Sequence, residues 1–466
     1  GVAYNYDVTN WHRKRFCKPW ILYFPKWETA VRDSEGFITT MELVPTERGF
    51  EAPELNEEYN RSSRELLNLN FNYSRDFGDH TINLFGAFEQ IDESGNNFGA
   101  FRKHYISDVV QTIDAGGDTD KNNWGGTWIY ARESWIARFN YDYQDKYLLE
   151  AIFRRDGSLK FPPDSRWGNF PGLLLGWRAS EEDFWKENLG FINYFKLRTS
   201  YGKIGMDPGN PFQYLNKYTK TSGLTLGTSK TVESVVRREG VANPNITWEK
   251  QTTYNIGFES QLLNNLFSLD ADLFYNKRSD ILAKRNASVP EFTGLTLPDE
   301  NIAEVDNRGV EIVAGYHKTI SSDFRFDISG NFSYNHNEVV FMDEPERSVP
   351  WQRQTGHSYG ATLLYKAIGI FPDEEAVNSY PHWDGAKAGD VIFEDVSGDK
   401  KITSDDRILL DRTDAPEIFY GLSFDAMYKN WTLSLLFQGQ GTYYRMSTQD
   451  DRRGEAGNYF QWHFDN

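Results

Sequence analysis

Leu67-Asn68-Leu69-Asn70-Phe71-Asn72-Tyr73-Ser74 is the stretch that decides the fold. Every second side chain is apolar and each one between is Asn or Ser, the period of a strand with one greasy face and one wet face. Residues 75–79 predict a tight turn and residues 80–90 a returning strand. Residues 91–134 then read as a long, polar, aromatic-rich connection before Trp135 opens the next strand. The same rhythm recurs along the chain. Tight turns fall near 144–146, 180–191, 262–265, 318–323 and 429–430, and long connections at 156–172, 202–251, 278–308 and 337–417. About twelve strands follow between residues 67 and 438. Hairpins with tight turns at one end and long loops at the other predict an all-β chain, a transmembrane antiparallel β-barrel with periplasmic turns and extracellular loops.

Composition narrows the alternatives. The chain has 466 residues, yet no run of eighteen apolar residues, so helical membrane spans are excluded. Cys17 is the only cysteine, which rules out an intrachain disulfide and a cysteine-based zinc cluster. A net charge of −18 argues against a nucleic-acid partner. Gly1 to Asp7 carries neither the basic nor the apolar region of a signal peptide. The chain opens in what reads as a loop and closes in another, Gln461 to Asn466, so a fragment is expected.

A soluble β-sandwich would also alternate. Two features favour the membrane. Aromatics cluster at the tight-turn ends: Tyr73, Tyr141, Tyr143, Tyr147, Trp177, Tyr194, Phe195, Tyr316, Phe324, Tyr428 and Trp431, as an interfacial girdle would. Phe324 to Asn335 also alternates for long enough to cross a bilayer at a tilt. On the strand Phe267, Leu269, Ala271, Leu273, Tyr275, the intervening row is Ser268, Asp270, Asp272 and Asn276, broken only by Phe274. With Arg138, Asn140 and Asp142 on another strand, such rows predict a wet or plugged lumen.

Several ordered motifs carry a resemblance. They run from Arg155-Asp156-Gly157-Ser158-Leu159-Lys160-Phe161 through Arg166-Trp167-Gly168-Asn169-Phe170-Pro171 and Gly176-Trp177-Arg178-Ala179-Ser180-Glu181-Glu182. Leu197 to Gly202, Trp248-Glu249-Lys250, Tyr254 to Gly257, Asn301-Ile302, Asn307 to Glu311, Gly389 to Arg407 and Tyr420-Gly421-Leu422 continue the series. In order and spacing, the chain resembles the SusC-like family of TonB-dependent outer-membrane transporters over roughly residues 60 to 440. The resemblance implies that residues 1–466 are part of a 22-stranded barrel whose plug domain and final strands lie outside this chain. It implies nutrient uptake across the outer membrane of Bacteroidota-type bacteria, with a SusD-like lipoprotein lid and TonB coupling through a region absent here. Oligosaccharide and oligopeptide are both open as cargo. A SusC-like barrel kept as a structural scaffold is the alternative, and a secreted glycan-binding β protein a more distant one.

Residues 395–406 space oxygen donors as an EF-hand-like calcium loop does: Asp395, Ser397, Asp399, the Lys401 carbonyl and Asp406 at positions 1, 3, 5, 7 and 12. Calcium is the cofactor this spacing suggests. Lys400 occupies the sixth position, where the sharp turn favours glycine, and this departure weighs toward a metal-free turn of the same shape. Trp124, Trp128, Tyr130, Trp351 and Trp383 fall in the predicted long loops and are the candidate cargo-stacking aromatics. Catalysis is not expected: the eight His lack metal-binding spacing, and no nucleophile elbow or phosphate-cradling loop occurs.

Overall fold

The computed structural model describes residues 1–34, 37–226, 231–285 and 297–444. Thirteen strands are hydrogen-bonded in chain order into one sheet. They are β1 (Val2–Cys17), β2 (Glu54–Phe77), β3 (His80–Lys103), β4 (Lys121–Tyr143), β5 (Tyr147–Ser158), β6 (Trp167–Trp177) and β7 (Ile192–Met206). β8 (Glu249–Leu262), β9 (Phe267–Ala283), β10 (Glu300–Ser321), β11 (Phe324–Phe341), β12 (Ile418–Tyr428) and β13 (Trp431–Gly441) complete it. No described helix is long and apolar enough to cross a membrane.

The chain divides into two compact units, residues 1–70 with 87–135 and the described remainder. In the first, β1 pairs antiparallel with β2 from Val2↔Leu69 to Cys17↔Glu54. This corrects the reading of the N-terminus as loop, and adds one strand ahead of β2 to β13, the twelve sheet strands of the later stretch. Val2, Tyr4, Tyr6 and Val8 do alternate with smaller or polar residues, but Asn10 to Arg15 interrupt the pattern. The segment Gln461 to Asn466 lies outside the described residues.

β3 and β4 run far into the expected 91–134 loop, which shrinks to residues 104–120. Gly95, Gly99, Gly125 and Gly126 disguise these halves, because glycine weakens a strand and gives no side chain to pack. Here aromatics fill the gaps: a Cβ on Gly95 would collide with the Trp128 indole, and one on Gly99 with that of Trp124.

In the second unit the ladder β7 to β13 is antiparallel, so residues paired in register share a face. One face carries Leu197–Phe258–Ala271–Ile312–Phe332 and Ile256–Leu273–Val310–Tyr334. Large apolar side chains stand exposed on it, Leu273 by 58% and Phe437 by 61%. A water-soluble sheet would cover such a face, whereas a bilayer solvates it. The opposite face carries Lys196–Glu259–Asp270 and Arg198–Gly257–Asp272.

Two departures from the expected facing have local causes. Tyr194 pairs with Gln261 and donates its hydroxyl to Glu259 at 3.4 Å, so it lies on the polar face and not in the girdle. The register shift between Ile192 and Tyr194 accompanies that placement. Phe274 interrupts the polar row because it lies over Gly309, whose Cβ would strike the ring. The turns at Gly78-Asp79, 144–146, 263–266, 322–323 and 429–430 are tight as expected. The connection after Trp177 is longer and holds a short helix, Asp183–Asn188.

Candidate functional site

Several of the motifs that carry the resemblance, those around 155–170, 248–249 and 301–302, converge at the long-connection ends of β5 to β10, and what they build there is a knot. Phe161, Phe170, Ile246 and Trp248 form its buried apolar centre. The Trp248 indole N–H donates to the Arg166 carbonyl at 2.9 Å, and the Ser165 hydroxyl to the Ile246 carbonyl at 2.8 Å. Asn301 donates to the carbonyls of Thr247 (2.8 Å) and Asp280 (2.7 Å) and accepts from the Thr247 N–H at 2.9 Å. Ser158 donates to Asp207 at 2.7 Å. Glu249, almost wholly buried, is ion-paired with Arg278 and accepts from the Leu282 N–H at 2.8 Å. These residues satisfy backbone groups where strands give way to loops, a requirement wherever irregular chain is buried. Their role is to fix the bases of three long connections.

The connection between β11 and β12 holds the acidic loop. The carboxylate oxygens of Asp395, Asp399 and Asp406 lie within 4.8 Å of one another. Asp395 accepts from the N–H groups of Gly398 (2.8 Å) and Lys400 (2.9 Å), and from the Ser397 hydroxyl at 3.3 Å. Asp399 accepts from the Lys401 N–H at 2.8 Å. Asp406, fully buried, accepts from the N–H groups of Ser397 (2.9 Å) and Thr403 (2.7 Å), the latter as half of a capping box. Burial alone would raise the Asp406 carboxyl, but these donors outweigh it and hold the group below the ordinary carboxylate range. Lys400 takes φ +67°, the left-handed conformation that glycine usually supplies at a sixth position. The departure in residue type is thus not a departure in backbone shape. The donor set is all oxygen, which suits a hard cation.

Trp351 belongs to the same assembly. Its indole donates to the Asp405 carbonyl at 3.0 Å, and Gln352 donates to the carbonyls of Ser404 (2.8 Å) and Arg407 (2.9 Å). Trp383 packs on Phe393 at 5.4 Å and lines an open cleft with Tyr380, His382, Lys400 and Lys401. Two of the five candidate aromatics therefore sit beside the acidic loop. Trp124, Trp128 and Tyr130 are on β4 in the other unit, on a strand and not in a loop. The first two cover glycines of β3.

The polar face of the sheet is dense with pairs. Arg198 reaches Asp272 at 2.5 Å and Glu259 at 3.2 Å, and Arg138 reaches Glu150 at 2.5 Å. All are partly exposed, so each contributes modestly to stability. Their joint effect is a charged, wettable wall opposite the apolar one. The hydrogen-bond roles of the motif residues were not legible in sequence, since the partners are up to 82 residues apart.

A sheet with one lipid-compatible face, one charged face, tight turns at one end and long connections at the other defines the wall of an outer-membrane β-barrel. The chain belongs to the TonB-dependent receptor-like β-barrel family, whose model matches residues 4–465. It is 27% identical to TonB-dependent receptor P3 of Formosa agariphila over 405 residues, 82% of this chain and 39% of that protein. It is 28% identical to TonB-dependent receptor SusC of Bacteroides thetaiotaomicron over 306 residues, 65% of this chain and 30% of that protein. Among solved structures, the RagAB peptide importer in its closed-closed state aligns with a TM-score of 0.71 at 18% identity, over 95% of this chain and 45% of that one. That likeness shows the same fold. The chain spans less than half the length of each of these relatives.

Proposed function

We propose that this chain is the barrel wall of a SusC-like importer of the outer membrane. Oligomeric cargo, saccharide or peptide, is captured between the long connections and a SusD-like surface lipoprotein that acts as a lid. TonB supplies the energy through a region outside these residues. The long connections face the cell exterior and the tight turns the periplasm. The observation that carries this reading is the family match over residues 4–465, on a sheet whose two faces suit lipid and water respectively.

Within this reading the 395–406 loop is a calcium site that stiffens the β11–β12 connection, with Asp395, Ser397, Asp399, the Lys401 carbonyl and Asp406 as ligands. The close carboxylates and the turn at Lys400 support it. Trp351 and Trp383 beside the loop are the aromatics best placed to stack on cargo, while Trp124 and Trp128 serve the strand pair.

The test is purification of the native complex in mild detergent, with mass spectrometry of every co-purifying protein, peptide and glycan. A SusD-like lipoprotein with bound oligomer supports the importer and gives the cargo class. A set of unrelated envelope proteins without cargo would overturn it in favour of a scaffold. Terbium luminescence of the same preparation, displaced by calcium and lost in Asp399→Ala, tests the loop. Absence of any signal from the wild-type protein would rule calcium out.

A further inference from the structure

The connection between β6 and β7 differs from the other turns at its end of the sheet. Residues 178–191 hold a helical turn and the helix Asp183–Asn188 in place of a two- to four-residue link. The connection exposes two large aromatics, Phe184 by 51% and Phe191 by 52%, and the next turn exposes Leu263 by 50%. Phe191 and Leu263 are joined through the backbone, where the Leu263 N–H donates to the Phe191 carbonyl at 2.7 Å.

The patch also continues an established surface. Phe184 packs on Trp177 (6.4 Å between ring centroids) and Trp185 (6.3 Å). Trp185 stacks on Phe195 at 4.8 Å, and Phe195 on Phe258 at 5.8 Å. Phe258 lies on the lipid-facing row with Leu197 and Ala271. An unbroken run of rings therefore leads from the apolar wall onto the connection.

Glu182 and the two indole N–H groups along that run are bonded internally. Glu182 accepts from the Tyr147 hydroxyl at 2.6 Å and the Trp177 indole at 3.2 Å, and pairs with Lys146 at 3.5 Å. The Trp185 indole donates to the Ile192 carbonyl at 3.2 Å. The ring donors of Trp177 and Trp185 are thus already bonded. Asp183, Lys186 and Glu187 are exposed and suit contact with water. Apolar rings beside a charged edge are the composition of a segment that lies in a membrane surface.

The geometry points to residues 178–191 as a membrane-surface anchor. Phe184, Phe191 and Leu263 seat in the headgroup–acyl boundary of the phospholipid leaflet at the tight-turn end of the barrel. The connection then fixes how deeply this part of the wall sits. The inference depends on the barrel fold and not on what the barrel transports.

The experiment is site-directed spin labelling of the full-length protein in phosphatidylethanolamine–phosphatidylglycerol vesicles, with Cys17→Ser and any cysteine beyond these residues likewise replaced. Labels go on F184C and F191C, with Leu173→Cys as the lipid-facing reference and Ser322→Cys as the aqueous one. Collision with oxygen and with a water-soluble nickel chelate reports depth. Both test positions are expected to favour oxygen, at a depth between the two references. Collision with nickel equal to that at Ser322→Cys would overturn the anchor. Protection from both reagents would also overturn it, because protein and not lipid would then cover the patch. The Leu173→Cys reading verifies insertion in each preparation.

Discussion

An arginine at Leu273 should be among the most damaging single charges on the lipid face of β9, and the reason is positional. Leu273 is 58% exposed, flanked in register by Ile256 and Val310, and six residues along the strand from Phe267, which pairs with the girdle residue Tyr316. At roughly 3.4 Å per residue and a tilt of about 40°, that places it about 16 Å along the membrane normal, near the middle of a band about 25 Å tall. Leu269, two residues from Phe267, comes out only about 5 Å in. Leu273→Arg is expected to cost about 2–4 kcal/mol, and Leu269→Arg nearer 1 kcal/mol, because the penalty falls toward the interface. A loss of about 3 kcal/mol is roughly a 150-fold shift toward the unfolded state. The assay is equilibrium denaturant titration of the complete barrel in phospholipid vesicles. Ser333→Arg is the control, since Ser333 lies on the opposite face across from Glu311. Equal costs at 273 and 333, or a larger cost at 269 than at 273, would refute the facing.

Three further outcomes follow from particular contacts. Trp248→Phe keeps most of the ring but removes the donor to the Arg166 carbonyl; a cost of about 1–3 kcal/mol is expected, read as lost hydrogen-exchange protection around residues 158–166. Gly309→Ala puts a methyl group against the Tyr334 carbonyl and the Phe274 ring, and should destabilise the barrel by about 1–3 kcal/mol in the same denaturant titration. Asp406 is held below its ordinary carboxylate range, so its contribution is complete above that range and is lost as pH falls through the depressed folded value. Acidification below the ordinary range should therefore free the Ser397 and Thr403 amides to exchange, and Asp406→Asn should remove that pH dependence.

Where one face meets lipid and the other water, the period-two pattern is forced, and it could be read directly: Phe324 to Asn335, Phe267 to Tyr275 and the tight turns are where the alternation placed them. The pattern failed where the chain leaves the bilayer. Beyond Gln90 and before Trp135 no lipid demands an apolar side chain, so β3 and β4 continue on backbone pairing and on Trp124 and Trp128 laid over glycines. No local periodicity encodes such a pair, because the aromatic and its glycine are on different strands. Tyr194 misled for a related reason: its composition suits a girdle, but the register shift beside it decides the face.

The same division governs the candidate site. Spacing alone exposed the acidic loop, because a loop that folds on its own backbone writes its donors at fixed intervals. Trp351 could not be tied to it by spacing, since the contact to Asp405 spans 54 residues. Several motif residues likewise bond to partners far along the chain. Trp248, Asn301 and Ser158 each satisfy a group far along the chain, at 82, 54 and 49 residues' separation, so their roles could not be read from local spacing. Within the proposed importer, cargo contacts are to be sought in the long β11–β12 connection, above all in the cleft beside Trp383, Lys400 and Lys401.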